Sequence, residues 1–288
     1  MKSHHELHAD QVEFWNGKAG GHWAEEQERI DAMLAPVLDM LIPQAKVKPG
    51  EAILDVGCGT GASSIELAKL VGPKGEVVGL DVSAPMLERA RERGKGIAIL
   101  HFIHADAAMH SFTHPVADLL FSRFGVMFFG DPAAAFTNLK RALKPGARLA
   151  FACWRKIDEN KWMQIPLHAA YEHVERLPKP GPEDPGPLSF ADPDRVTRIL
   201  TAAGFAKPRF TPVDLMLDVA VGGGLEDAVR QAMTMGPASR AIQDQPDSVL
   251  AKVAESMRKA LMPHAHGNTV KLPGAIWLVE SGVESAVG

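Results

Sequence analysis

The sequence predicts an α/β fold: a largely parallel sheet with helices packed on both of its faces. Three observations carry this. Between residues 52 and 154, short and nearly continuous apolar runs alternate with helix-like segments, the pattern of strands buried on both sides. The first run, residues 52–56, passes into Gly57, Gly59 and Gly61, which are spaced two apart and have a helix-like segment directly behind them. The second run, Val77-Val78-Gly79-Leu80-Asp81, ends in a carboxylate twenty residues after Gly61, suited to paired ribose hydroxyls.

The elements follow in order. The first fifty residues read as helical, because residues 23–40 carry Ile30, Met33, Leu34, Val37 and Leu38 at a helix period. Lys48-Pro49-Gly50 breaks the chain before the first strand. Strands are predicted at 52–56, 76–81, 99–104, 117–122 and 148–154, with helices at 62–70, 84–93 and 132–143 between them. Pro85 suits a first helical turn, where a missing amide costs little.

The second half changes character. Residues 161–176 are helix-like, 177–187 form a Pro- and Gly-rich loop, and 192–203 read as a helix ended by Gly204. Residues 206–217 are partly strand-like, with Pro208 and Pro212 disfavouring interior ladder positions. Gly222-Gly223-Gly224 opens two helical segments at 225–235 and 248–261. A last strand or a bent pair is expected at 269–280, where Pro273-Gly274 interrupts the pattern. The late helices are expected to form a lid over the carboxyl edge of the sheet. No internal repeat is visible.

Composition bounds the function. At 288 residues and net charge −4 the chain can bury a large core, and no arginine-lysine stripe tracks a nucleic acid. No stretch reaches the roughly 18 apolar residues that span a bilayer, and residues 1–8 have no apolar signal core. Cys58 and Cys153, far apart, fit a reducing compartment, so a cytoplasmic monomer or homodimer is expected.

The glycine run by itself marks a nucleoside-containing ligand without naming it. Gly57, Gly59 and Ala62 also satisfy the dinucleotide fingerprint G-x-G-x-x-A. A longer comparison separates the readings. Leu54-Asp55-Val56-Gly57-Cys58-Gly59-Thr60-Gly61 resembles the glycine loop of class I S-adenosylmethionine-dependent methyltransferases. The resemblance continues through 78–87, His104-Ala105-Asp106-Ala107, 121–129, Leu143-Lys144-Pro145-Gly146 and Phe151-Ala152-Cys153-Trp154. Flanking residues, including Trp15-Asn16-Gly17 and Phe190-Ala191-Asp192-Pro193, are similar to the small-molecule branch of ubiquinone- and menaquinone-biosynthesis type.

That resemblance implies a seven-stranded, mostly parallel sheet with the last strand antiparallel and a helical lid inserted after strands five and six. The corresponding parts would be an amino-terminal cap (1–48), a cofactor-binding core (49–155), lid insertions at 156–190 and 219–268, a core helix and strand (191–218) and the final strand and tail (269–288). It implies S-adenosyl-L-methionine as cofactor and a small-molecule acceptor. Asp55, Gly57, Cys58, Gly59 and Gly61 would lie by the methionine portion, Asp81 with Val82 and Ser83 by the ribose, and Met86, Asp106 and Ala107 by the adenine. Ser122 and Arg123 would sit beneath the methionine part and beside the acceptor. Trp23 and Gln27, one helical turn apart, would close over the cofactor.

If the acceptor must lose a proton, His168 and His173 are the candidate bases, lying in the insert after the fifth strand. Arg123 is a further catalytic candidate, able to pair with a carboxylate. His264 and His266 lack a third ligand, so no metal is expected. The Asp-x-x-Pro-Tyr and Asn-Pro-Pro-Tyr signatures of amino-group methyltransferases are absent after strand four. A partly apolar or aromatic metabolite, methylated on O, N or C, is the expected acceptor. The alternatives are a catalytically inactive S-adenosylmethionine-binding protein and an NAD-dependent oxidoreductase. Against the latter, Asp55 beside the glycines would repel a pyrophosphate.

Overall fold

The computed structural model describes residues 3–179, 181 and 184–284. Three helices, α1 (His4–Asn16), α2 (Lys18–Glu25) and α3 (Gln27–Ala45), precede the sheet. Then follow β1 (Ala52–Val56), α4 (Ala62–Val71), β2 (Glu76–Asp81), α5 (Ala84–Arg93), β3 (Leu100–His104), β4 (Ala117–Arg123), α6 (Pro132–Lys140) and β5 (Leu143–Trp154). The second half holds α7 (Lys161–Ala170), α8 (Pro193–Ala202), β6 (Arg209–Asp218), α9 (Gly224–Thr234), α10 (Gly236–Ala241), α11 (Asp247–Leu261), the two-residue β7 (Ala265–His266) and β8 (Thr269–Gly282).

The strands run in the order β3-β2-β1-β4-β5-β8-β6, with β7 paired to β8 outside that path. All pairs from β3 to β5 are parallel, and β8 is inserted antiparallel between β5 and β6. This is the predicted α/β fold with its antiparallel last strand. Chain order reverses between β1 and β4, and the carboxyl ends there are where open α/β sheets hold ligands. α3 buries Ile30, Met33, Leu34, Val37 and Leu38, the predicted periodic face, and Leu41 besides. Across the sheet, Phe136 of α6 packs against Phe151 and Phe190.

Several boundaries differ from expectation, each for a local reason. The predicted helix at 23–40 is two helices that meet at Glu26 (φ −91°, ψ 19°), so Trp23 and Gln27 belong to different helices. β5 begins at Leu143, five residues early, because Leu143 pairs with Ala117 before an irregularity that resumes at Arg148. α7 stops at Ala170, six residues short of the expected end. Pro212 sits inside β6 because β6 is the edge of the sheet, where outward amides need no partner. β8 continues straight through Pro273-Gly274, since β5 pairs only with its later residues, Ile276 to Gly282.

Candidate active site

The loops after β1, β2, β3 and β4 meet at one cavity of about 860 Å³, roofed by α1, α2, α7 and the described residues of the connection between α7 and α8. The three glycines of the β1 loop all have positive φ, yet they serve different ends. A Cβ on Gly57 would lie 2.5 Å from Gly125 Cα, so its bareness lets the loops after β1 and β4 touch. One on Gly61 would press on Phe102 and Ala90, beneath α5. At Gly59 a Cβ would meet only Met86 Sδ, at 3.7 Å, and would project into the cavity. Gly59 is therefore the point where a ligand can approach the backbone.

Asp81 closes β2 against this loop. Its Oδ2 accepts from the Gly59 amide at 2.7 Å and its Oδ1 from the Ser83 amide at 2.8 Å. Each oxygen keeps a further lone pair for a cavity ligand. Burial raises the Asp81 pKa, and the amides of Ser83, Gly59 and Val82 oppose that rise. Asp55, beneath the loop, is fully buried. Its Oδ2 accepts from Ser63 and Ser64 at 2.6 Å each, while Oδ1 has no partner. Burial pushes its pKa up to about 6 in spite of the two hydroxyls. Burial, reinforced by the charges of Asp81 and Asp55, also keeps the Cys58 thiol protonated.

The amino-terminal helices are tied to the β2 and β3 loops at separate points. Asn16 Nδ2 donates to Val82 O and its Oδ1 accepts from the Ala84 amide. Ser83 Oγ donates to Trp15 O. His8 Nε2 lies 2.5 Å from Asp106 Oδ2, and the Ala108 amide donates to Asp106 Oδ1. The Asp106 bond raises the His8 pKa against the effect of burial. On Asp106 burial pulls upward, but the His8 and Ala108 bonds outweigh it and lower the pKa. Gly130 lets α1 come this close, since a Cβ there would stand 2.5 Å from His4 O.

At the end of β4, Arg123 reaches the cavity and lies 3.4 Å from Asp31 of α3. Asp31 also receives Arg93 at 2.9 Å and the Gln27 amide at 2.7 Å. Phe124 follows at φ 67°, a left-handed backbone that costs a bulky residue on the order of 1–3 kcal/mol. Its ring stacks on Trp154 at 4.1 Å, and Trp162 lies 5.0 Å beyond. With Met127, Met163, Leu167 and Met235 these rings line an apolar chamber continuous with the polar end.

Of the residues expected by the cofactor, Trp23, Gly57, Cys58, Gly59, Asp81, Val82, Met86, Asp106, Ala107 and Arg123 line the cavity. Asp55, Gly61, Ser83, Ser122 and Gln27 do not. Ser122 is wholly buried, donating to Val56 O and accepting from the Gly125 amide, so it stitches two loops together. Gln27 turns to Asp31 and Arg89. The two candidate bases are also displaced. His168 is exposed on α7 and lines no part of the cavity, and His173 lies 2.8 Å from Ser256 of α11. Sequence reasoning missed His8, Asp31 and Trp162, which reach the cavity from segments with no motif of their own.

Fold and site together define a class I, Rossmann-like methyltransferase of the S-adenosylmethionine-dependent kind. A family model described as a methyltransferase domain matches residues 47–204, more than half of the chain, and the chain belongs to that family. It is 40% identical over 103 residues to a demethylmenaquinone methyltransferase of Staphylococcus haemolyticus, covering 36% of this chain and 43% of that protein. It is 28% identical over 174 residues to an uncharacterized 37.1 kDa protein of a Streptomyces fradiae transposon, covering 60% of this chain and 49% of that one. The matches thus span less than half the length of these curated relatives. Among solved structures, the YcgJ protein of Bacillus subtilis aligns with a TM-score of 0.57 at 15% identity, covering 88% of this chain and all of that one. Phosphoethanolamine N-methyltransferase 2 of Haemonchus contortus aligns with the same score and identity, covering 96% of this chain and 60% of its own. Both likenesses concern the fold. No helix among the described residues is long and apolar enough to cross a membrane.

Proposed function

We propose that this protein transfers the methyl group of S-adenosyl-L-methionine to an O, N or C nucleophile of a small, partly apolar metabolite. The observation that carries the reading is the polarity of this cavity: glycine loop, Asp81 and Asp106 at one end, stacked aromatic rings at the other. The residues present fit the cofactor. Asp81 has lone pairs for two ribose hydroxyls, and Gly59 leaves the direction of its missing Cβ open. Arg123 faces the cavity beside Asp31, suited to a carboxylate of the methionine part. Asp55, whose Oδ1 lacks a partner, contributes negative charge beneath the loop.

The cofactor supplies a methyl group already activated on a cationic sulfur. What remains for the protein is to align the nucleophile and exclude water, and good alignment is worth up to roughly 7–11 kcal/mol. The aromatic chamber would hold the acceptor, and the cap would shield the adenosine end. Among the described residues that line the cavity, His8 carries the only imidazole, at the adenine end. The reading therefore rests on proximity, without a histidine base. Calorimetric titration tests it: S-adenosylhomocysteine should bind at one site per chain and NAD should not. Binding of NAD alone would sink the proposal. Transfer of labelled methyl into cell extract would then identify the acceptor.

A further inference from the structure

The aromatic chamber does not end in apolar residues alone. Lys156 behind β5, Lys179 in the connection before α8, Arg198 on α8 and Arg240 on α10 all reach the wall of the same cavity. Among the described residues none of these four is in an ion pair. Arg240 instead lies over the Phe14 ring at 5.1 Å. Elsewhere the arginines of this chain readily find acids: Arg148 pairs with Glu51 at 2.7 Å and Arg258 with Glu226 at 2.6 Å. The two wall acids nearest in sequence to Lys179 and Arg198, Asp184 and Asp192, are both engaged with backbone. Asp192 caps α8 by accepting from the Asp194 amide, and Asp184 accepts from the Gly181 amide.

We propose that the acceptor is an anion: a ring-bearing, largely apolar molecule whose carboxylate or phosphate is met by Arg198 and Arg240, with Lys156 and Lys179 adding to the field. This deepens the proposed methyl transfer and rests on it for the identity of the bound molecule as an acceptor. A chain of net charge −4 exerts no general attraction on anions, so such selectivity must come from local cations. Four cations reaching one apolar cavity from four separate segments supply it. The attraction they exert on an anion strengthens where a bound ring displaces water from beside them. Arg198 and Arg240 bring planar forks suited to either oxyanion.

Three probes built on one ring decide the matter: 2-naphthoate, 2-naphthyl phosphate and neutral 2-naphthol, titrated calorimetrically with and without S-adenosylhomocysteine. At least one anion should bind about tenfold more tightly than 2-naphthol, with an advantage that shrinks as salt rises. Whichever anion binds better separates a carboxylate-bearing from a phosphate-bearing acceptor. The double variant R198Q/R240Q changes two exposed side chains, so it should fold, keep its affinity for S-adenosylhomocysteine and lose the preference for anions. Equal binding of 2-naphthol, failure of both anions to bind, or a preference that survives the double variant would each overturn the proposal. A missing heat for S-adenosylhomocysteine counts against the cofactor reading instead, and leaves the anion comparison standing on the titrations made without it.

Discussion

The two ends of the cavity are built in opposite ways. The polar end is made of backbone: Gly57, Gly59, Ser83 and Ala108 act through amides or bare Cα atoms, and Asp81 and Asp106 are fastened to such amides. The aromatic end is made of side chains from scattered elements, Phe124, Trp154, Trp162 and Met235 among them. The first kind of construction tolerates almost no change, because a backbone cannot move aside. The second can exchange one ring for another and so admit a different small molecule while the polar end stays fixed.

The largest effect should come from Gly57→Ala, which drives a Cβ into Gly125 at a residue with φ 67°. A loss of about 3 kcal/mol in urea denaturation is expected, from overpacking and backbone strain together. A stability within error of the original would refute the rigid-backbone account.

Asp81→Ala should weaken S-adenosylhomocysteine binding by about 2 kcal/mol, since charge-assisted bonds to hydroxyls and amides are lost together. An unchanged dissociation constant would remove Asp81 from the site.

Asp55→Asn tests the buried charge. Because the Asp55 pKa is raised to about 6, the fold favours the protonated acid, and its cost appears as pH rises from 3.8 through about 6. Removing the charge is worth up to about 3 kcal/mol above that window, offset in part where the amide accepts less well from Ser63 and Ser64, and the variant should bind S-adenosylhomocysteine less well. Equal stability gain at pH 4 and pH 8 would contradict the charge argument.

His8→Gln is a smaller change with a pH signature. The folded His8 pKa is raised, so its contribution is fully present below 6.5 and is lost as pH rises through the raised value. The difference in Tm between the original protein and H8Q should shrink on going from pH 6 to pH 8.5. A difference that stayed constant would mean that the ring acts by shape alone.

Smallest of all should be His168→Ala and His173→Gln. Outside the cavity, each should leave the pH profile of methyl transfer unchanged and shift stability by no more than about 0.5 kcal/mol. A lost basic limb in either would restore that histidine as a base.

Legibility followed the same division. The positions of the glycine loop, Asp81 and Asp106 were readable because each lies within a few residues of its own strand end, where spacing along the chain fixes place in the cavity. Gly61 shows the limit: it shares the loop spacing with Gly59, yet its neighbours Phe102 and Ala90 come from other elements. Trp23 and Gln27 fell on separate helices because one non-helical residue, Glu26, shifted the register between them. His168 and His173 lay in the correct insert, but α7 turns its apolar face inward and leaves His168 in solvent. Pairings such as His8 with Asp106, ninety-eight residues apart, leave no local trace in the chain.

The unequal pairing of β8 has a mechanical consequence. β5 holds only Ile276 to Gly282, whereas β6 holds β8 from Lys271 to Glu280. Lys271 to Ala275 and their partners Asp214 to Asp218 thus extend as a two-stranded ribbon past the end of β5, leading to α9 and α11. At its root the wholly buried Asn160 accepts from the Ala275 amide and donates to Ala275 O, continuing the ladder where β5 stops. Two-stranded ribbons twist more than wide sheets do. α9 and the α10 that follows it, which reach the chamber wall through Thr234 to Arg240, are thereby carried on a torsion spring clamped at Asn160. The loops of the polar end, anchored in the wide sheet, are the fixed frame against which that spring would turn.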